Sequence, residues 1–72
     1  MIARLRLRKK LLELGYSFSL RTKRVEIHRK KGSTKRIELT HHREFSEEYV
    51  RIVLRQAGLD QEEIERFIAE NH

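Results

Sequence analysis

Cysteine is absent from the 72-residue chain, so neither a disulfide nor a thiolate metal site can brace it. Proline is absent too, and no repeat, low-complexity tract or linker is visible. Residues 1–72 are therefore expected to form a single domain around one small core. Stability then rests on packing, with help from a partner chain as the alternative source. No apolar run approaches the roughly eighteen residues of a membrane span, and no signal peptide is legible. A cytoplasmic protein without a membrane segment is the expectation. The chain has no P-loop, dinucleotide fingerprint, Gly-x-Ser-x-Gly or His-Glu-x-x-His, so no cofactor is expected. Aromatic residues are few. Tyr16, Phe18, Phe45, Tyr49 and Phe67 fall at core or core-edge spacing and are not interleaved with basic residues. That pattern speaks for recognition of shape and phosphate and against a base-stacking sheet.

What the chain does have is charge, unevenly placed. Met1 to Arg36 holds thirteen basic residues against two acidic ones, whereas Ile37 onward holds four against nine. The first half is a candidate polyanion surface, and the second half partly neutralises it.

In chain order, Met1 to Leu14 reads as an amphipathic helix with Ala3, Leu7, Leu11 and Leu14 on one stripe and Ile2, Leu5 and Leu12 beside it. Gly15 is a helix stop. Tyr16, Phe18 and Leu20 alternate with serines, as in a half-buried strand. Arg21 and Thr22 form a turn. Lys23 to Lys30 alternates again, with Val25 and Ile27 taken as inward and Arg24, Glu26 and His28 as outward. Lys31 to Ser33 makes a hairpin turn in which Gly32 supplies the positive φ. Lys35 to Thr40 is the third strand, with Ile37 and Leu39 inward. Phe45 plugs the core, and Ser46 caps the next helix. Along that helix Val50, Val53, Leu54 and Ala57 repeat at helical spacing, and Gly58 ends it. Asp60 and Glu63 then form a capping box for a second, shorter helix carrying Ile64, Phe67 and Ile68. The fold class is α+β, a two-layer α-β-β-β-α domain with a short C-terminal helix. The expected core is Leu7, Leu11, Leu14, Phe18, Val25, Ile27, Ile37, Leu39, Val53, Leu54 and Phe67.

The run V-R-I-V-L-R-Q-A-G-L from Val50 to Leu59, followed by Asp60, Gln61, Glu62 and Glu63, resembles the C-terminal signature of HicA-type toxins. These are small mRNA interferases of toxin–antitoxin pairs. Their helix reads roughly L-R-x-I-L-K-Q-A-G-L and is followed by an acidic short helix. The resemblance implies a double-stranded-RNA-binding-like fold, RNA as substrate, endoribonuclease activity and a HicB-type antitoxin as protein partner.

The family also carries a G-S-H-x-x-F type motif on its second strand, with the histidine as its proposed catalytic residue. With Ile27 taken as the inward aromatic position, Thr22, Lys23, Arg24 and Ile27 stand where the family has Gly, Ser, His and Phe. The motif is missing, and ribonuclease activity is weak or lost on this reading. Arginine stays protonated and cannot act as a base, although Arg24 and Lys23 can stabilise a charged phosphorane. His28, expected on the same outward face, is the candidate replacement base. His41 and His42 lie near the family's V-P-x-H segment, but with His28 they fit no compact zinc pattern, and no metal site is expected. Phosphates would be held by Lys23, Arg24, Arg29, Lys30, Lys31, Lys35 and Arg36, with Arg4 and Arg8 extending the surface from the first helix. The alternative is a non-enzymatic nucleic-acid-binding module; Tyr49 to Phe67 could be read as a helix-turn-helix with Gly58 in its turn, but Glu62, Glu63, Glu65 and Glu70 on its second helix would repel phosphate.

Overall fold

In the computed structural model, which describes residues 1–71, the elements follow the order β1 (Ile2–Ala3), α1 (Arg4–Glu13), β2 (Tyr16–Arg21), β3 (Val25–Lys30), β4 (Arg36–Thr40), β5 (Glu44–Phe45), α2 (Glu47–Gln56) and α3 (Gln61–Asn71). The expected α-β-β-β-α order holds, with helices on one face of an antiparallel sheet ordered β2-β3-β4. None of the described helices is long and apolar enough to cross a membrane.

The N-terminus departs from expectation. The helix begins at Arg4 and not at Met1, because Ile2 and Ala3 pair with Phe45 and Glu44 in a second, two-stranded sheet. The Arg4 amide donates to the Arg43 carbonyl at 2.8 Å, which fixes the transition from strand to helix. This pairing seats Ile2 and Phe45 in the core together.

Helix α1 buries Leu7 and Leu11 one turn apart, while Leu5 and Leu12 on its other side are exposed. Helix α2 is capped by the Ser46 hydroxyl, which accepts from the Tyr49 amide at 3.2 Å. It buries Val50, Val53 and Leu54. Gly58 takes φ +101°, where a side chain is strained, and lets the Leu59 amide return to the Leu54 carbonyl at 3.1 Å. Leu59 is thereby buried. Asp60 Oδ1 then accepts from the Glu63 amide at 2.9 Å and starts α3. At 11 residues α3 is not the shorter helix, since α2 has 10.

The main correction concerns which face of the sheet looks inward. The register pairs His28 with Phe18 and Ile37, and Glu26 with Leu39. Opposed residues share a face, and Ile37 and Leu39 lie in the core. Glu26 and His28 are therefore the inward residues of β3, and Val25 and Ile27 point outward. Ile27 is still 7% exposed, yet it stands outside the core cluster, opposite Leu20 and Glu38. Of the expected core, Leu7, Leu11, Ile37, Leu39, Val53, Leu54 and Phe67 are buried together. Leu14 packs against that core half-buried, Val25 is half-buried, and Phe18 is 54% exposed.

Candidate nucleic-acid interface

The antiparallel path of β2, β3 and β4 sorts the basic residues to opposite ends of the sheet. At one end is the β2–β3 turn. There the Thr22 hydroxyl accepts from the Arg24 and Val25 amides at 3.2 and 3.1 Å. Lys23 and Arg24 lie in this turn, exposed, so Arg24 is not on a strand face. His41 belongs to the same end, its Nε2 2.8 Å from the Thr22 carbonyl. At the other end, about 20 Å away along β3, Arg29, Lys30, Lys31, Lys35 and Arg36 surround the β3–β4 hairpin. The two clusters expected to act as one surface are thus separate.

The hairpin cluster is the denser one. Arg29 and Arg36 are direct cross-strand partners on the outward face, and both are exposed. Like charges so placed destabilise a sheet unless an anion lies between or beside them. Glu38 takes Arg36 at 3.1 Å. Arg29, Lys31 and Lys35 form no ion pair among the described residues. Lys30 turns to the helix side, where its Nζ stands 5.8 Å from the centre of the Tyr16 ring. Gly32, at φ +80°, closes the turn. A groove of about 570 Å³ opens beside this cluster, between Lys35 and Arg36 of β4 and Tyr49 and Ile52 of α2.

Arg4 and Arg8, expected to extend the phosphate surface, are instead directed at Glu26. Arg8 grips that carboxylate with Nε and Nη2, both at 2.7 Å, and Arg4 Nη1 stands 3.9 Å from it. His28 Nε2 meets Oε2, the oxygen that Arg8 Nε also holds, at 2.6 Å. Glu26 is only 1% exposed. Burial by itself would raise its pKa. The bonds from Arg8 and then His28 outweigh burial and bring it from 4.5 to about 2. An ionised carboxylate only accepts, so the proton of the Glu26–His28 bond sits on His28 Nε2. Glu26 was not singled out from sequence. The signal was present: a carboxylate and a histidine two apart in a strand, with arginines four apart on the preceding helix.

His28 is consequently not an outward-facing base. It is 3% exposed, and its Nδ1 is buried without a hydrogen-bond partner. The inward aromatic position used to place the family motif moves with it. An inward residue at Glu26 or His28 puts the motif histidine at Lys23 or Val25, neither of which is a histidine. His42 is exposed, with Nδ1 2.9 Å from the Thr40 hydroxyl. Among the described residues no group of three or more His, Asp and Glu is arranged to hold a metal ion. Comparison with protein-family models, with curated proteins and with solved structures returns no match for this chain.

Proposed function

We propose that this chain is a HicA-like RNA-binding protein that holds phosphates at its β3–β4 hairpin and does not cleave the strand it binds. The observation that carries the reading is the Arg29–Arg36 cross-strand pair, flanked by Lys31 and Lys35, in which Glu38 engages Arg36 alone and Arg29, Lys31 and Lys35 have no acidic partner among the described residues. Isolated clusters of this kind gain most from a polyanion, because each neutralised phosphate releases a counterion. The paired cations of the molecule have other work: Arg8 ties α1 to β3, and Arg51 ties α2 to Glu65 of α3 at 2.7 Å. The resemblance of Val50 to Leu59 to the HicA signature supports RNA as the polyanion and a HicB-type protein, covering the basic hairpin, as partner.

Loss of cleavage rests on the sheet register. A general base needs an accessible lone pair within hydrogen-bond reach of the proton it takes. Each register considered puts a residue other than histidine at the catalytic position, and His28 lies on the helix side of the sheet, away from the outward Arg29–Arg36 pair, with its Nε2 held by Glu26. The test is an RNA incubation free of contaminating nuclease, run alongside a binding titration. Salt-dependent binding without cleavage is expected. Cleavage at the rate of an active toxin, or absence of binding at low salt, would overturn the reading.

A further inference from the structure

A second feature lies on the helix side of the sheet, at the β2 edge. Arg8, Leu12, Tyr16, Ser17, Phe18 and His28 line a depression of about 180 Å³. Its walls are apolar side chains that a folded chain normally hides: Leu12 is 62% exposed and Phe18 54%. The Phe18 ring stands edge-on to the His28 ring, with centroids 5.9 Å apart. His28 Nδ1 has no hydrogen-bond partner and is buried. A buried polar atom left unpaired is costly, and most such atoms in folded proteins find a partner. Glu26 already holds Nε2, so in the neutral ring Nδ1 carries a free lone pair. Phe18 also sits where the β2–β3 ladder is broken, since the register shifts between Phe18 and Leu20. That interruption leaves the edge strand freer to shift there than a regular ladder would.

We infer that this depression receives one unpaired nucleobase of a bound single strand, stacked on Phe18 against Leu12 and donating an N–H to His28 Nδ1. The inference rests on the RNA-binding reading and adds to it a base site apart from the hairpin. An aromatic face, an apolar wall and a single buried acceptor suit a flat heterocycle that carries an N–H edge. Continuity with the phosphate cluster supports a strand over a free base. Tyr16, in the wall of the depression, is the cross-strand partner of Lys30, whose ammonium stands above its ring. From Lys30 the basic residues lead directly to Lys31 and the hairpin. Arg8, at the rim, is bound to Glu26 and orients the acceptor through that carboxylate. Phe18 swings from its edge-on position to admit the base.

The test uses the whole chain, an unstructured 12-nucleotide RNA, its abasic counterpart with the same phosphates, and a 12-base-pair RNA duplex. Binding is read by fluorescence anisotropy. Phe18→Ala is the informative variant because the side chain is largely exposed, and its folding is checked by circular dichroism. Wild type should bind the 12-mer about ten-fold more tightly than Phe18→Ala does, while the abasic strand and the duplex should not distinguish the two proteins. The ¹⁵N resonance of His28 Nδ1 should move when the 12-mer is added and stay in place with the abasic strand. Equal binding of the 12-mer by wild type and Phe18→Ala, or a His28 Nδ1 resonance indifferent to the bases, overturns the base site. Lys31→Ala and Lys35→Ala keep the two readings apart. If they weaken all three ligands while Phe18→Ala weakens none, the phosphate surface stands and the base site falls. If wild type binds none of the ligands at low salt, both fall.

Discussion

Replacing Glu26 by glutamine keeps the shape of the side chain and removes its charge. Glu26 is held by Arg8 through two 2.7 Å bonds and by His28 at 2.6 Å, so the substitution strips the counter-charge from the joint between α1 and β3. A carboxyl lowered from 4.5 to about 2 on folding contributes about 3 kcal/mol at neutral pH. Breaking a buried pair from one side costs about 3–5 kcal/mol when the remaining charge has no escape. Here Arg8 is 33% exposed and can regain water, so the lower end, about 3 kcal/mol, is expected. A domain of this size has roughly 4–11 kcal/mol in total. The variant should therefore stay folded at room temperature and melt about 12–24 °C lower.

The pH dependence distinguishes this account from loss of packing. Folding lowers the pKa of Glu26, so its contribution is complete above the unfolded value of 4.5 and is lost as the pH falls through about 2. A protonated Glu26 carries the same charge as glutamine. Urea unfolding of wild type and Glu26→Gln, followed by far-ultraviolet circular dichroism between pH 7 and pH 2, should thus show two stabilities that converge in acid. A gap that stays constant over that range, or no gap at pH 7, would refute the ion-pair account.

Leu54→Ala removes a fully buried side chain and should cost about 2–5 kcal/mol, which the same unfolding assay measures. Phe18→Ala should cost less than about 1 kcal/mol, because Phe18 is 54% exposed; a loss as large as that of Leu54→Ala would put Phe18 back in the core. In RNA titrations over a range of salt, Lys31→Ala and Lys35→Ala should each flatten the log–log slope by about one. Arg8→Gln should lower stability and leave that slope unchanged, since its charge already belongs to Glu26.

Much of the fold was legible because the helices and turns carry local signals. Ser46 at a helix start, Gly58 at a helix end and Gly32 in a hairpin each do what their chemistry dictates within a few residues. The alternation of β3 was legible as well, but its sense was not. A period of two says which residues share a face and leaves open which face is buried. Hydrophobicity alone assigns Ile27 and Val25 inward, whereas the register puts Glu26 and His28 against the helices. What reverses the usual rule is a pairing across elements. Arg8 on α1 supplies the charge that makes Glu26 tolerable inside, and the alternation of β3 alone does not announce it. The β1–β5 pairing escaped for a related reason. Two residues at each end of a 41-residue separation form it, and Ile2 reads equally well as the first turn of a helix.

The same pairing changes how the charge of the chain should be read. Thirteen cations in the first half suggest one broad phosphate surface, and α1 alone holds five of them. Arg8 is bound to Glu26 by both its Nε and Nη2, Arg4 lies at its edge, and Lys10 pairs with Glu13 at 3.6 Å. A charge engaged by a buried carboxylate adds little to counterion release, because no phosphate can displace Glu26 without opening the core. Arg29, Lys31 and Lys35 meet no such competitor among the described residues. Binding strength in this molecule should therefore follow the hairpin, a handful of residues near the middle of the chain, and be nearly indifferent to the arginines of the first helix that face the sheet.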